Sequence, residues 1–281
     1  MSCQTAKAET CHFKPGCIGR KKTKGEPMRT TALLNLKGGV AKTATTINMA
    51  AILAADHKKR VLVVDADSQA NATEFLGGLC NGRSTFADML RKMDVHNPIG
   101  KTQLQGVSLL AADESLMDLD LSKVEDKAVD VNCLRRYLDA NNSAFDYVLI
   151  DCPPAFNAAS AAALLAADDV IIPIKLDAFS LRGMGNLMRQ VKNMQEINPA
   201  LRLAGLLPTM TYNSATITEA MRALINSGLP VFPSIRRTPK VDDMTFEQKP
   251  LIYSSPRSAA CIDYRVFVKA YAAQKGGARR G

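Results

Sequence analysis

A short turn rich in glycine and lysine limits the folds open to this chain. It spans residues 37–43 and joins an apolar strand predicted at Thr31 to Leu36 to an alanine-rich helix predicted at Thr43 to Ala55. A strand–turn–helix unit of this kind aims successive backbone N–H groups and the positive end of the helix at an anion. We therefore predict a nucleotide-phosphate site, with Lys42 on the β- and γ-phosphates and Thr43 on Mg²⁺; a turn that binds nothing is the alternative. The residues of the predicted site are Lys37, Gly38, Gly39, Val40, Ala41, Lys42, Thr43 and Ala44.

Apolar runs and helical patterns alternate along the rest of the chain. Strands are predicted at 31–36, 60–64, 107–111, 147–150, 170–174 and 203–207, with a short candidate at 231–232. Helices are predicted at 43–55, 85–93, 131–140, 158–167, 181–197, 216–226 and 257–273. Continuous apolar strands between helices indicate the α/β class, with a mostly parallel twisted sheet and helices on both faces. Ligands in such folds bind at the carboxyl ends of the strands, where the 37–43 turn would lie.

The chain of 281 residues is long enough for one large domain, which we expect at 28–274. The flanking segments, 1–27 and 275–281, are basic. The first has six Lys or Arg against two Glu, in a chain of net charge +9. Such tails suit a polyanion such as DNA, with solvated ends as the alternative. If Met28 is the natural start, residues 1–27 are a leader outside the fold.

Composition argues against several classes of protein. No run of about 18 apolar residues could span a membrane, and the polar first residues contain no secretory signal. The seven cysteines form no C-x-x-C pair, which argues against a disulfide framework and for a reducing cytosol. Cys11, His12 and Cys17 have no usual zinc spacing and no evident fourth ligand, so no metal site is predicted there.

Carboxylates follow two other predicted strands. The strand at 61–64 runs into Asp65 and Asp67, and the strand at 147–150 runs into Asp151 and two prolines. At the carboxyl ends of parallel strands, these acids would lie beside the phosphate turn and could hold a magnesium ion that bridges phosphate oxygens. The alternatives are structural: a strand-end turn or helix cap for the first two, and a buried acceptor of backbone hydrogen bonds for the third.

These motifs resemble those of one group of ATPases. The general loop pattern G-x-x-x-x-G-K-[ST] fails, because Leu36 and Ala41 stand at its glycine positions, but the additional Lys37 gives K-G-G-x-x-K-T. This arrangement resembles the deviant Walker A box of the ParA/MinD group. The segment 65–73 is similar to the D-x-D-x-Q-x-N-x-T segment of partition ATPases, and 151–154 is similar to the D-x-P-P switch of the group.

The resemblance favours the ParA/Soj branch of the group, from about Met28 to Tyr271, and implies a role for each matched residue. Lys37 matches a signature lysine that reaches across a dimer interface to the partner's phosphates, so that two subunits enclose two nucleotides. Asp67 matches the acid that orients the attacking water, and Asp65 the acid that supports the loop and the metal shell. Asp151 would hold Mg²⁺ through water, and the prolines after it would form a stiff switch.

One segment departs from the family pattern. Where relatives usually carry Ile-Pro-Arg-Asn-x-Arg, which contributes adenine and DNA contacts, this chain has Ile-Arg-Arg-Thr-Pro-Lys at 235–240. Adenine contact by Thr238 is the matching expectation. Aromatic residues make up 5% of the chain and include no Trp, so base stacking on single strands is not expected. The predicted DNA surface, with a solvated basic face as the alternative, consists of Arg236, Arg237, Lys240, Lys249 and Arg257.

The resemblance implies an ATP- and Mg²⁺-dependent ATPase for DNA partition, in plasmid or chromosome segregation. An ATP-bound homodimer would bind double-stranded DNA without sequence preference, and a ParB-like partner would stimulate hydrolysis and release. The protein is expected in the cytoplasm, associated with the nucleoid, without a membrane partner. A MinD-like positioning ATPase would end in an amphipathic helix, but Tyr271 is the only large apolar residue in 270–281. An iron–sulfur relative would need paired cysteines, whereas a DNA-binding regulator with little turnover stays an alternative.

Overall fold

The computed structural model describes residues 27–77, 82–93, 95–125 and 128–274, and at its centre lies a sheet of seven strands. The strands are β1 (Arg29–Leu33), β2 (Val61–Asp65), β3 (Ile99–Lys101), β4 (Val107–Leu110), β5 (Tyr147–Asp151), β6 (Asp169–Lys175) and β7 (Arg202–Thr209). Their order across the sheet is β3-β4-β2-β5-β1-β6-β7. Strand β3 runs antiparallel to β4, and every other neighbouring pair is parallel. The predicted α/β class with a mostly parallel sheet is confirmed.

Helices cover both faces of the sheet. They are α1 (Lys42–Ala55), α2 (Asn71–Phe75), α3 (Phe86–Leu90), α4 (Ser122–Glu125), α5 (Cys133–Ala140), α6 (Ala158–Ala166), α7 (Ala178–Ile197), α8 (Ala215–Asn226), α9 (Lys240–Glu247), α10 (Leu251–Ser254) and α11 (Ala259–Ala273), with a 3₁₀ turn at Glu114–Asp118. Alternate residues of a strand point to opposite faces of the sheet and therefore belong to two apolar cores. On β2, Val61 and Val63 pack in the core with α1, α2 and α9–α11, whereas Leu62 and Val64 pack in the core with α3 and α5–α8. Among the helices of the described residues, none combines the length and the apolar character that spanning a bilayer requires.

Some elements differ from the sequence prediction. Strand β3 has the sequence Ile-Gly-Lys, which lacks an apolar run, and it pairs with β4 alone, at the edge of the sheet. Helices α9 and α10 fall in a stretch for which no element was predicted, and a proline stands directly before each of them. Proline suits the start of a helix, because the N–H that it lacks has no partner in the first turn.

Other predicted segments are not regular elements in the structure. The strand expected at 231–232 makes one parallel bridge, between Leu206 and Val231. The basic extension and tail predicted at 1–27 and 275–281 lie outside the described residues apart from Pro27, and so do Cys11, His12 and Cys17. The sheet and its helices are formed by residues from Arg29 to Ala273, and the expected domain, 28–274, stays a prediction.

Strand β1 begins two residues earlier than predicted because Arg29 is buried among partners. Its guanidinium donates to the carboxylate of Asp169 on β6 and, at 3.0 Å each, to the carbonyls of Tyr271 and Gln274. Asp169 also accepts from Arg202 at 2.8 Å and from the Tyr271 hydroxyl at 3.0 Å. Burying charge is expensive unless it is paired. This network therefore fastens the end of α11 to the amino-terminal edge of the sheet, opposite the phosphate turn.

Candidate nucleotide-binding site

The phosphate turn lies at the carboxyl end of β1 and leads directly into α1. Gly39 and Ala41 both have a left-handed backbone, with φ of 69° and 65°. Ala41 precedes the first helical residue, and its carbonyl accepts from the Thr45 N–H at 2.9 Å. The left-handed region costs a residue with a Cβ about 1–2 kcal/mol. The general loop motif has glycine at this position, and the alanine here keeps the backbone conformation that glycine would adopt freely.

Lys42, the first residue of α1, extends back into the turn. Its ammonium donates to the carbonyl of Lys37 at 3.2 Å, and the residue is buried. Burial lowers the pKa of Lys42, while the carboxylates of Asp151 and Asp67 oppose that shift. The ammonium is thus held inside the turn and close to two acids, where it can neutralise the phosphates of a nucleotide.

Asp151 ends β5 between the two strands that carry the other site residues. It lies in register with Leu33 of β1 on one side and with Asp65 of β2 on the other. One oxygen, Oδ1, accepts from the Thr46 hydroxyl of α1 at 3.2 Å. The other, Oδ2, is buried and has no hydrogen-bond partner among the residues that the structure describes.

The environment of Asp151 fits a cation. Burial raises the pKa of Asp151 to about 7; the carboxylate of Asp65 adds to the shift, and the Thr43 hydroxyl and Lys42 oppose it. Buried polar atoms nearly always have partners, so an unpaired carboxylate oxygen beside a threonine hydroxyl requires an explanation. Carboxylate and hydroxyl oxygens are ligands that magnesium accepts, together with phosphate oxygens and water. The residues present therefore fit Mg²⁺.

Asp65, also buried, organises the segment that follows β2. Its Oδ1 accepts from the Asp67 N–H at 3.1 Å, and its Oδ2 accepts both the N–H and the hydroxyl of Thr73 at 2.8 Å. Burial raises the pKa of Asp65 to about 6, and the bonds from Thr73 oppose the shift. Because both carboxylate oxygens of Asp65 accept hydrogen bonds from the protein, Asp65 stabilises the loop that follows β2. Thr73, which accepts from the Ala112 N–H at 2.9 Å, is the partner that makes this possible.

Asp67 lies two residues further along, half-buried near the mouth of the turn. Its Oδ1 accepts from the Gln69 N–H at 3.1 Å, an Asx turn that fixes the direction of the carboxylate. It is close enough to Lys42 and Asp151 to influence the pKa of both. The structure thus brings Lys42, Asp67 and Asp151 together, as predicted from their strand-end positions.

Lys37 is held by residues that the sequence analysis did not identify. Its ammonium contacts both oxygens of Asp177, at 2.7 and 2.8 Å, just beyond β6. Its backbone N–H donates to the Asn35 side chain at 2.9 Å, and Asn35 donates to the Pro173 carbonyl at 2.7 Å. Two strands that are neighbours in space therefore fix the first residue of the turn. No local motif marks Asn35 or Asp177, because both contacts depend on β6 lying beside β1.

The predicted basic surface is partly neutralised. The guanidinium of Arg236 donates two hydrogen bonds to Asp263, at 2.9 and 2.8 Å, and Lys240 pairs with Asp243 at 2.7 Å. Arg237, Lys249 and Arg257 are exposed. Thr238, expected to contact adenine, is half-buried, and its hydroxyl accepts from the Lys240 N–H at 3.3 Å.

The fold and these side chains define a P-loop nucleotide-binding protein, with a phosphate loop after the first strand and acids at the ends of two neighbours. The model of the AAA domain family matches residues 28–203. Over 200 residues the chain is 36% identical to the chromosome partitioning protein ParA of Caulobacter vibrioides, covering 69% of this chain and 73% of that protein. It is 31% identical over 258 residues to the sporulation initiation inhibitor protein Soj of Bacillus subtilis, covering 86% and 97%.

A solved structure agrees with these relatives. Cobyrinic acid a,c-diamide synthase from Mycobacterium smegmatis, crystallised with bound ADP and magnesium, superposes with a TM-score of 0.73 at 31% identity, covering 86% of this chain and 93% of that one. This chain belongs to the ParA/Soj family within the ParA/MinD group of P-loop ATPases. The resemblance inferred from its motifs is confirmed.

Proposed function

We propose that this protein is a partition ATPase, which uses ATP and Mg²⁺ to bind and release DNA during plasmid or chromosome segregation. The observation that carries the proposal is the buried Oδ2 of Asp151, which lacks a hydrogen-bond partner among the described residues and lies beside Thr43 and close to the ammonium of Lys42. Burying such an oxygen without a partner is costly, and a metal–nucleotide complex would complete its surroundings.

The residues of the turn would bind the triphosphate. The backbone N–H groups of 38–43 and the start of α1 favour an anion, and Lys42 supplies the compensating charge. Thr43 and Asp151 would hold magnesium, the latter through water. The chemistry that magnesium would supply there is neutralisation of the negative charge on the phosphates during transfer.

Asp67 would orient the water that attacks the γ-phosphate. Asp65 contributes indirectly, because its bonds to the Asp67 N–H and to Thr73 fix the loop that carries Asp67. An error of about 1 Å in such an arrangement costs on the order of 100-fold in rate. Asp65, at a buried strand end, would therefore support catalysis by keeping Asp67 in place.

Lys37 would act in a homodimer, by leaving Asp177 and reaching the phosphates held by the partner subunit. Dimerisation and ATP binding would then be linked, since each stabilises the other. The dimer would place two basic surfaces side by side on double-stranded DNA, with Arg237, Lys249 and Arg257 as the main contacts and Thr238 near the adenine. A ParB-like protein would stimulate hydrolysis and release, in the cytoplasm on the nucleoid.

Hydrolysis tests this proposal directly. ATP turnover is measured for the full chain with and without random-sequence duplex DNA, for the native protein, Asp67→Ala, Lys37→Ala and a control, Lys58→Ala, at an exposed residue beyond the end of α1. Slow, DNA-stimulated turnover is expected for the native protein and the control. Asp67→Ala should bind ATP without hydrolysing it, and Lys37→Ala should bind ATP without dimerising. Native turnover no higher than that of Asp67→Ala would overturn the proposal and favour a DNA-binding regulator.

A further inference from the structure

The phosphate loop has a support from a distant strand. Thr209, the last residue of β7, donates its hydroxyl to the carbonyl of Val40, in the middle of the loop, at 3.1 Å. Thr209 and Val40 are each 1% exposed. The backbone of Thr209 is paired in register with Lys175 of β6. The hydroxyl is therefore presented by a rigid part of the sheet, across β6 from the strand that leads into the loop.

This hydrogen bond lies next to the strained residue of the loop. Ala41 follows Val40 and has φ of 65° and ψ of 33°, in the small left-handed region that disfavours a Cβ. The peptide that joins Val40 to Ala41 is trans, so its carbonyl and its N–H point in opposite directions. A hydroxyl that holds the Val40 carbonyl thus also fixes the direction of the Ala41 N–H.

Without the Thr209 hydroxyl, the left-handed backbone of Ala41 would lose a contact that maintains it. Ala41 could relax toward a commoner conformation by turning this peptide, but the turn would break the bond to Thr209 and leave a buried carbonyl without a partner. Strained backbone persists at functional sites only where the surroundings hold it there. Among the described residues, Thr209 provides the side-chain hydrogen bond that holds the Val40 carbonyl in place.

We propose that Thr209 is a positioning residue of the phosphate loop, whose hydroxyl holds the Val40–Ala41 peptide ready for phosphate and offsets the strain of an alanine at position 41. The inference rests on the proposed nucleotide binding. It concerns a feature of this chain, since the strain arises from Ala41 where the general motif has glycine. Two residues beyond this strand end, the backbone carbonyl of Thr211 accepts from the Arg237 N–H at 2.8 Å, in the 235–237 segment.

The test compares Thr209→Val, which keeps the shape and removes the hydroxyl, with Thr209→Ser, which keeps the hydroxyl. Two properties are measured: the affinity for a fluorescent ATP analogue with Mg²⁺, and amide hydrogen exchange of residues 38–43 without nucleotide. Thr209→Val should weaken affinity about 3- to 10-fold and speed exchange by a similar factor, as expected for one lost hydrogen bond. Thr209→Ser should stay within about 2-fold of the native protein.

A control and a rescue separate positioning from general stability. Thr211→Val removes another buried hydroxyl of this region, one that contacts the Ile235 carbonyl at 3.3 Å, and should leave exchange in the loop unchanged. In the Ala41→Gly background, where left-handed φ is unstrained, Thr209→Val should lose most of its effect. An equal effect in both backgrounds, or none in either, would overturn the inference.

Failure of the inference is distinguishable from failure of the proposed function. If the native protein does not bind the analogue, the proposed function fails, and the exchange comparison alone decides whether Thr209 holds the loop. If Thr209→Val does not fold, Thr209→Ser and Ala41→Gly still decide it. In that case, slower amide exchange of the loop in Ala41→Gly, together with a near-native exchange rate in Thr209→Ser, supports the inference. An exchange rate of the loop in Thr209→Ser as high as that of the unfolded chain contradicts it.

Discussion

The ammonium of Lys37 lies 2.7 and 2.8 Å from the two carboxylate oxygens of Asp177 in the same chain. The pair is partly exposed, with 37% of the lysine side chain and 28% of the aspartate side chain accessible. Under the proposed function, Lys37 acts on the partner's nucleotide, so this intrachain contact would have to break for a dimer to close. Asp177 would therefore compete with the partner's phosphates for the lysine.

Replacing Asp177 should favour dimerisation. We expect Asp177→Asn to tighten the ATP-dependent dimer about 2- to 30-fold, because each of the two subunits has a partly exposed ion pair, worth about 0.2–1 kcal/mol, that no longer has to be broken. Analytical ultracentrifugation with Mg²⁺ and a non-hydrolysable ATP analogue measures the change. The control Asp56→Asn breaks a comparable pair with Arg265, at 2.8 Å and away from the loop, and should have no effect. A weaker dimer in Asp177→Asn would contradict this account of the pair.

Replacing Asp151 should stabilise the nucleotide-free protein while removing its response to magnesium. Asp151→Asn deletes a buried charge, one oxygen of which has no hydrogen-bond partner among the described residues, and we expect the free energy of unfolding at pH 8 to rise by about 1 kcal/mol or more. Urea unfolding measures this, and thermal shift with Mg²⁺ and ATP should show that most of the nucleotide's stabilisation is lost. Asp146→Asn, at the other end of β5, should instead destabilise, because that carboxylate is paired with Arg60 at 3.0 Å.

Two adjacent glycines of the loop should respond differently to alanine. Neither would bring a Cβ within 4 Å of a described atom outside its chain neighbours, but Gly39 has φ of 69° whereas Gly38 has no such conformation. We expect Gly39→Ala to lower the free energy of unfolding by about 1 kcal/mol or more, and Gly38→Ala to be neutral or slightly stabilising. Urea unfolding of the nucleotide-free protein makes the comparison. Equal effects would show that the loop backbone adapts freely.

The basic residues of the predicted DNA surface should contribute unequally to DNA binding, according to whether each forms an ion pair with a nearby acid. We expect the triple variant Arg237→Ala, Lys249→Ala and Arg257→Ala to weaken ATP-dependent DNA binding and to reduce the slope of log K against log salt by about 0.9 per lost phosphate contact. The double variant Arg236→Ala and Lys240→Ala should change both less, because Asp263 and Asp243 already neutralise those side chains. Fluorescence anisotropy at several salt concentrations measures both, and a larger effect in the double variant would rule out this division.

The sequence predicts the part of the site that depends on strand ends. Asp65, Asp67 and Asp151 were identified because each follows an apolar run, and the order β2-β5-β1 brings those ends together beside Lys42. The helix and strand pattern likewise predicts the class of the fold. These signals are local, since each needs only a periodicity and the residue that follows it.

Contacts across the sheet could not be predicted in this way. Asp177 and Thr209 reach the loop from β6 and β7, about 140 and 169 residues further along the chain, and only the strand order makes them neighbours. Arg29 lies outside the apolar run at 31–36 from which the first strand is predicted, and its burial depends on Asp169 and on the carbonyls at the end of α11. The pairing of Arg236 with Asp263 depends in the same way on where α11 packs.

Nucleotide-dependent binding to DNA tests the central claim most directly. Co-sedimentation of the full chain with random-sequence duplex DNA is measured with Mg²⁺ and ATP, with ADP and without nucleotide, for the native protein and Asp67→Ala. The account predicts binding with ATP alone, retained in Asp67→Ala although that variant does not hydrolyse ATP. Binding that is equal in all three nucleotide states would contradict it.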